Sequence, residues 1–245
     1  MTASEGISGI HERGYCVLRG RLPRRLIEDC GKIFRPILQN YLEEHELAPN
    51  RGANRHYVPM PFAGACFAAE FFFDPEILEV VRGVMGARVV ADQWGCDVAL
   101  RGSEYQRFHA DFQRPLFEET PDLSLPPYIL AVSFGLADVE AEDGPIEIAV
   151  GTHRMARDAA IRSVEWAECE VETVLLEAGD VLIRHPWALH RGTPNRTDTP
   201  RAMATIRYVR RWYTDASREV EAIPRPLWRS LTQEQQEMIR FPLER

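Results

Sequence analysis

Apolar residues recur at helical spacing twice in the first third of the chain. Leu26, Ile27, Cys30, Ile33, Phe34, Ile37, Leu38 and Tyr41 mark one helix face behind Pro23. Ile77, Leu78, Val80, Val81 and Val84 mark a second, opened by Asp74-Pro75 and ended by Gly86. Gly14–Leu18 reads as a short strand. Residues 48–64, rich in Pro, Gly, Asn and Arg and without a period, read as a long loop. From residue 87 the pattern changes to short β-type runs at 88–91, 97–100, 129–135, 146–150, 171–176, 180–184 and 201–213. Turn clusters such as Glu142-Asp143-Gly144-Pro145 and Glu177-Ala178-Gly179-Asp180 separate them, and a last helix is expected over 230–240, where Thr232 and Gln235 have the spacing of a capping box. Short strands at regular spacing predict a mainly β fold with flanking helices, a jelly roll. One domain over 1–245 is expected, with a helical part at about 20–86, a jelly-roll core at about 87–213 and an extension over 214–245.

Composition narrows the class without naming it. The 245 residues are 45% hydrophobic and 27% charged, enough for a core that needs no metal or disulfide staple. A net charge of -8 argues against a duplex nucleic-acid binder. The five cysteines are scattered and form no C-x-x-C pair, so neither a disulfide framework nor a zinc knuckle is indicated. No apolar run approaches the ~20 residues of a membrane span, and no secretory leader is visible. A cytoplasmic monomer or homodimer acting on a small molecule, without nucleic acid or membrane, is the expectation. Lys32 is the only lysine, so any anion held here is held by a planar guanidinium fork.

The candidate chemistry starts at His109-Ala110-Asp111. Residues two apart on a strand share a face, so one imidazole and one carboxylate project together. By itself that pair is a weak signal. His190 strengthens it: the Gly179-Asp180 turn and an apolar strand lead to His190, which enters the turn Gly192-Thr193-Pro194-Asn195. Two histidines and one carboxylate take one face of an iron(II) ion and leave three positions open. Arg201 follows eleven residues after His190 and opens a β-rich run; in a hairpin around that turn it points into the same cavity. A 2-oxoacid end chelating the metal and a distal carboxylate on an arginine fork would suit 2-oxoglutarate, with dioxygen in the last position.

These blocks together resemble the phytanoyl-CoA dioxygenase (PhyH-like) family of Fe(II)- and 2-oxoglutarate-dependent oxygenases. The resemblance is carried by H-x-D, by Gly179–Asn195 with both His185 and His190, by Arg201, by Gly144–Arg154, and by Arg13–Leu18; it runs from about residue 10 to about 213. It implies a double-stranded β-helix and oxidation of an unactivated C–H bond, with release of succinate and CO2. The substrate would be a small molecule such as a secondary-metabolite intermediate or a carboxylate-bearing compound. Hydroxylation is the leading outcome; desaturation, epoxidation and ring formation use the same apparatus, and a non-catalytic jelly-roll binding protein is the reading from another class. Asp111 excludes halogenation, which needs a small residue in its place. Relatives with a hydroxyl two residues past the second histidine have Gly192 here, with Thr193 the nearest substitute, and their lysine before H-x-D falls at Ala99–Gly102.

Other residues carry less. His185 and His153 read as structural, and His11, His45 and His56 as surface residues, with His56 able to reach substrate from the long loop. Arg107, Arg114, Arg154, Arg191 and Arg207 read singly as solvated charge and jointly suggest an anionic substrate. Gln93, Trp94, Gln106, Phe108 and Phe112 are candidate pocket walls, with Gln106 and Thr193 joining Arg201 as candidate co-substrate contacts; Phe71–Phe73 read as core, and residues 48–64 and 214–245 as entrance and lid.

Overall fold

The computed structural model describes residues 1–45, 47–111, 116–117, 125–215 and 220–244. Phe112 and Arg114 lie outside the described residues. In chain order the elements are α1 (Ala3–Arg13), β1 (Tyr15–Leu18), α2 (Arg24–Glu44), β2 (Arg55–Pro59), a 3-10 turn at Gly64–Phe67, α3 (Ala69–Phe73), α4 (Pro75–Met85) and β3 (Val89–Ala99). There follow β4 (Ile129–Gly135), β5 (Ile146–Ala149), α5 (Arg157–Glu165), β6 (Val171–Val174), β7 (Val181–Arg184), β8 (His190–Gly192), β9 (Arg201–Arg210), α6 (Arg225–Ser230) and α7 (Gln233–Glu237).

Two antiparallel sheets form the core of the jelly roll, one of six strands in the order β1-β7-β4-β9-β3-β2 and one of three in the order β6-β5-β8. Side-chain alternation divides the large sheet cleanly. On its outer face Trp94, Cys96, Leu130, Val132, Phe134, Ala204, Ile206 and Tyr208 join one core with Ile27 and Phe34 of α2 and Ile77 and Val80 of α4. On its inner face Val17, Leu182 and Met203 pack with Ile148 and Val174 of the small sheet. The remaining inner positions of β9 are Arg201, Thr205, Arg207 and Val209, so the space between the sheets is partly polar.

The expected α4 forms as read: Asp74 accepts from the amides of Glu76 and Ile77, Pro75 takes the first turn, and Gly86 leaves the helix at φ 83°. Arg21 holds Asp74 from outside at 2.5 and 2.8 Å. Phe71 and Phe72 are core residues, as expected. Sequence periodicity did not signal α1, which rests on a capping box between Thr2 and Glu5. Two expected runs, 88–91 and 97–100, prove to be one strand, β3, with an irregular register between Ala91 and Gln93.

Residues 48–64 are not simply a loop: Arg55–Pro59 is an edge strand paired to Ala99–Gly95. His56 is therefore buried at 1% exposure, on the opposite side of the strand from Arg55 and Tyr57, instead of on the surface. The C-terminal segment also departs from a lid. Its Met238, Ile239 and Phe241 belong to the outer core, and Ile239 pairs with Ala91, the part of β3 that β2 does not reach. The β8–β9 hairpin does not form either. β8 pairs with β5 in the small sheet, whereas β9 lies between β4 and β3 in the large one. The chain crosses between sheets through Asn195, whose buried carboxamide donates to the carbonyls of Ala99 and Thr199, each at 2.8 Å.

Candidate active site

His109 and Asp111 sit on a short extended segment that joins the free edge of β8. The backbone of His109 exchanges both hydrogen bonds with that of His190, at 3.0 and 2.9 Å, and the Asp111 amide donates to the Pro186 carbonyl at 3.0 Å. This pairing keeps His109 and Asp111 on one side of the extended chain and sets His190 opposite them. One ligand atom from each of the three lies within 4.8 Å of the others. The Asp111 Oδ1 to His190 Nε2 separation is 3.5 Å. Two neighbouring ligands bound at about 2.1 Å stand roughly 3 Å apart, so one ion spans this pair with small adjustment.

The donor chemistry fits a divalent transition metal. His190 Nδ1 lies 2.9 Å from the Ala188 carbonyl and His109 Nδ1 2.9 Å from the Arg107 carbonyl. A carbonyl only accepts, so these contacts favour the proton on Nδ1 and leave Nε2 for an ion. At His190 the Arg184 Nη1, which only donates, also stands 3.1 Å from Nδ1 and competes with the Ala188 carbonyl for that atom. Burial, with Arg184 beside it, pushes His190 down to about 4, so it is neutral at physiological pH. For Asp111 burial acts upward, but the Arg184 guanidinium and His190 outweigh it and hold the carboxyl well below the usual carboxylate range. The three side chains are a carboxylate and two imidazoles, the donor set of a facial triad.

Arg201 lies on the opposite wall, on the inner face of β9 across from Ala99. Its Nε donates to the Gly144 carbonyl at 3.0 Å and an Nη to the Asp97 carbonyl at 3.2 Å. These bonds aim the fork without neutralising it. Although the expected hairpin is absent, Arg201 reaches the interior because β9 presents every second residue there.

Gln106 and Thr193 are committed to backbone. The Gln106 carboxamide accepts from the Gly192 amide at 2.9 Å and donates to the Arg51 carbonyl at 3.0 Å. The Thr193 hydroxyl donates to the Pro145 carbonyl at 2.8 Å. Both brace the chain beside His190. His185 accepts from the Trp187 amide at 3.2 Å and packs on His153, outside the metal cluster.

Of the arginine group, Arg207 is buried in a two-point ion pair with Asp92, at 2.7 and 2.9 Å. Arg191 pairs with Glu147 at 2.7 Å and lies over the rings of Tyr105 and Phe108. Arg107 and Arg154 are exposed. Trp94 belongs to the outer core, while Gln93 faces inward and donates to Tyr57 Oη.

Residues without a sequence signal complete the site. Arg184, ending β7, donates from Nη2 to Asp111 Oδ2 at 2.9 Å. Arg55, 4% exposed, shares the inner face with Arg201 across the small Ala99. Burial and the charge of Arg201 push Arg55 down to about 10, and its donors meet only the carbonyls of Glu104 and Thr193 among the described residues. Asp97, Tyr57 and the hydrogen-bonded hydroxyls of Ser133 and Thr205 line the same space. Burial raises Asp97, opposed by Arg201 and Arg51. An isolated arginine in a loop carries no periodic mark; only β2, once seen, places Arg55.

The comparisons agree with this architecture. The structure resembles the non-heme alpha-ketoglutarate-dependent carbocyclase SnoK from nogalamycin biosynthesis, at a TM-score of 0.62 and 20% identity over 85% of this chain and 86% of that one. It resembles HygX from Streptomyces hygroscopicus, crystallised with nickel, 2-oxoglutarate and hygromycin B, at 0.62 and 16% over 98% and 96%. The epimerase SnoN, in complex with Fe3+, alpha-ketoglutarate and nogalamycin RO, gives 0.64 and 17% over 95% and 96%. At these identities the likeness is one of fold. The family model for phytanoyl-CoA dioxygenase (PhyH) matches residues 10–203, a span that holds all three candidate ligands and Arg201, and the chain therefore belongs to the PhyH family.

Proposed function

We propose that this protein is an Fe(II)- and 2-oxoglutarate-dependent oxygenase that oxidises an unactivated C–H bond of a small molecule. His109, Asp111 and His190 hold the ion, and Arg201, with Arg55 beside it, holds the distal carboxylate of 2-oxoglutarate. The observation that carries this reading is the convergence of two imidazoles and a carboxylate, one ligand atom of each within 4.8 Å of the others, with a half-buried arginine fork aimed into the same cavity from the other sheet. When bound, the ferrous ion supplies dioxygen activation coupled to conversion of 2-oxoglutarate to succinate and CO2.

The chain's own contribution is placement. The Ala188 and Arg107 carbonyls orient the two imidazoles through Nδ1, and Arg184 keeps Asp111 ionised and oriented. The enclosing sheets strengthen each charge interaction inside. Ring formation is the second reading, favoured by the carbocyclase SnoK among the structural neighbours; the same site would serve it. A natural-product intermediate is the substrate class proposed, in keeping with the molecules bound to HygX and SnoN.

Purified protein given Fe(II) should turn 2-oxoglutarate into succinate with matched loss of dioxygen, and Asp111→Ala should abolish this. Arg201→Lys, which replaces a fork by a point charge, should weaken 2-oxoglutarate at least ten-fold, corresponding to about 1.4 kcal/mol. Succinate formation unchanged in Asp111→Ala would contradict the assignment.

A further inference from the structure

We infer that Arg184 is a positioning residue of the metal site, holding Asp111 so that one carboxylate oxygen is kept for the ion and the other is withheld from it. The inference rests on the metal-site reading above and concerns a residue outside its ligand set.

Arg184 ends a strand whose other members, Val181, Leu182 and Ile183, are apolar and buried. Its side chain is 9% exposed. From there a single guanidinium touches two of the three candidate ligands: Nη2 donates to Asp111 Oδ2 at 2.9 Å, and Nη1 stands 3.1 Å from His190 Nδ1. The oxygen left over, Oδ1, is the one that faces His190 Nε2 at 3.5 Å. Among the described residues, Arg184 is the one side chain found against Oδ2, and His190 is the one that faces Oδ1. The division of labour between its two oxygens is therefore set by Arg184.

That division bears on how many positions an ion at this site keeps open. Three protein atoms leave three of six positions, enough for a chelating 2-oxoacid and dioxygen. A carboxylate free to swing can chelate with both oxygens and fill one of those three. With Oδ2 tied to a guanidinium that is itself fixed by burial, Asp111 offers a single atom. Arg184 thus protects the position on which co-substrate chelation depends, and its charge offsets that of the carboxylate before any ion arrives.

The test uses the full chain loaded with Co(II), whose visible absorption reports coordination number without turnover. Arg184→Met should bind Co(II) but show an altered Co(II) spectrum and a Kd for 2-oxoglutarate raised at least ten-fold, the lower end for loss of an outer partner of a metal ligand. Arg184→Lys, which keeps the charge and one donor, should recover the spectrum and part of the affinity. In an Asp111→Ala background Arg184→Met should change neither quantity further. Should Arg184→Met fail to fold, the comparison of wild type with Arg184→Lys and Arg184→Gln carries the same expectation in graded form. A wild-type spectrum and a 2-oxoglutarate Kd within two-fold of wild type in these variants would overturn the inference. A lowered melting temperature with unchanged 2-oxoglutarate affinity of the loaded protein would also overturn it, reducing Arg184 to a structural ion pair. A wild-type protein that takes up no Co(II) would sink the metal-site reading and this inference together.

Discussion

Arg55 lies flat against Gly192, two residues past His190: a β-carbon built on residue 192 would come within 2.4 Å of the Arg55 Nη1. The missing side chain on β8 is what lets a guanidinium from β2, in the other sheet, enter the cavity beside Arg201. Gly192→Ala should displace Arg55 and raise the Kd for 2-oxoglutarate about ten-fold, and Arg55→Met should do the same. Because both act through one guanidinium, the double variant should be no worse than Arg55→Met alone. Additive losses, measured by titration calorimetry on metal-loaded protein, would separate the two residues.

A buried ion pair ties β9 to β3 at the other end of the inner face. Arg207 and Asp92 are 5% and 7% exposed and meet at two points. Removing one partner strands a buried charge, and Asp92→Ala should lower unfolding free energy by about 3–5 kcal/mol. Asp92→Leu with Arg207→Met should recover most of that loss in urea unfolding. A single variant within about 1 kcal/mol of wild type would show that water compensates, or Asp215, whose Oδ2 lies 3.4 Å from an Arg207 Nη1.

Two imidazoles packed behind the turn that leads to His190 predict acid sensitivity. Burial pushes His153 down to about 4 and His185 to about 3, and their rings are 5.1 Å apart. Unfolded, each titrates near 6.5. Between about pH 6.5 and 4 the unfolded chain therefore binds more protons than the folded one. Their contribution is complete above that window and is lost as pH falls through it, roughly 3 kcal/mol for each. The urea midpoint should drop from about pH 7 to about pH 5, and His153→Asn should flatten that dependence. An unchanged slope in His153→Asn would place the proton uptake elsewhere.

Much of this was legible in the chain because it rests on local rules. The capped α4, the short strands after residue 87, and the placement of His109, Asp111 and His190 follow from turn chemistry and two-residue alternation. What the sequence did not display were non-local pairings. β2 owes its existence to the edge of β3, and the stretch 238–240 fills the remaining edge at Ala91; neither has a hydrophobic period of its own. The same blindness hid Arg55 and Arg184, whose roles depend on which strand lies opposite. It also produced the expected β8–β9 hairpin, since a short polar connection suits a crossover between sheets as well as a tight turn. Arg201 faces the interior all the same, because inward alternation along β9 holds in either topology.

The central claim is that His109, Asp111 and His190 present one ion to a 2-oxoacid whose far end rests on Arg201. Anaerobic addition of 2-oxoglutarate to the Fe(II) protein tests it most directly, because chelation of ferrous ion by a 2-oxoacid produces a visible metal-to-ligand charge-transfer band. Wild type should develop that band with saturable 2-oxoglutarate dependence, succinate should not produce it, Asp111→Ala should lack it, and Arg201→Lys should need at least ten-fold more 2-oxoglutarate. No band in Fe(II)-saturated wild type, or an equal band in Asp111→Ala, would contradict the account.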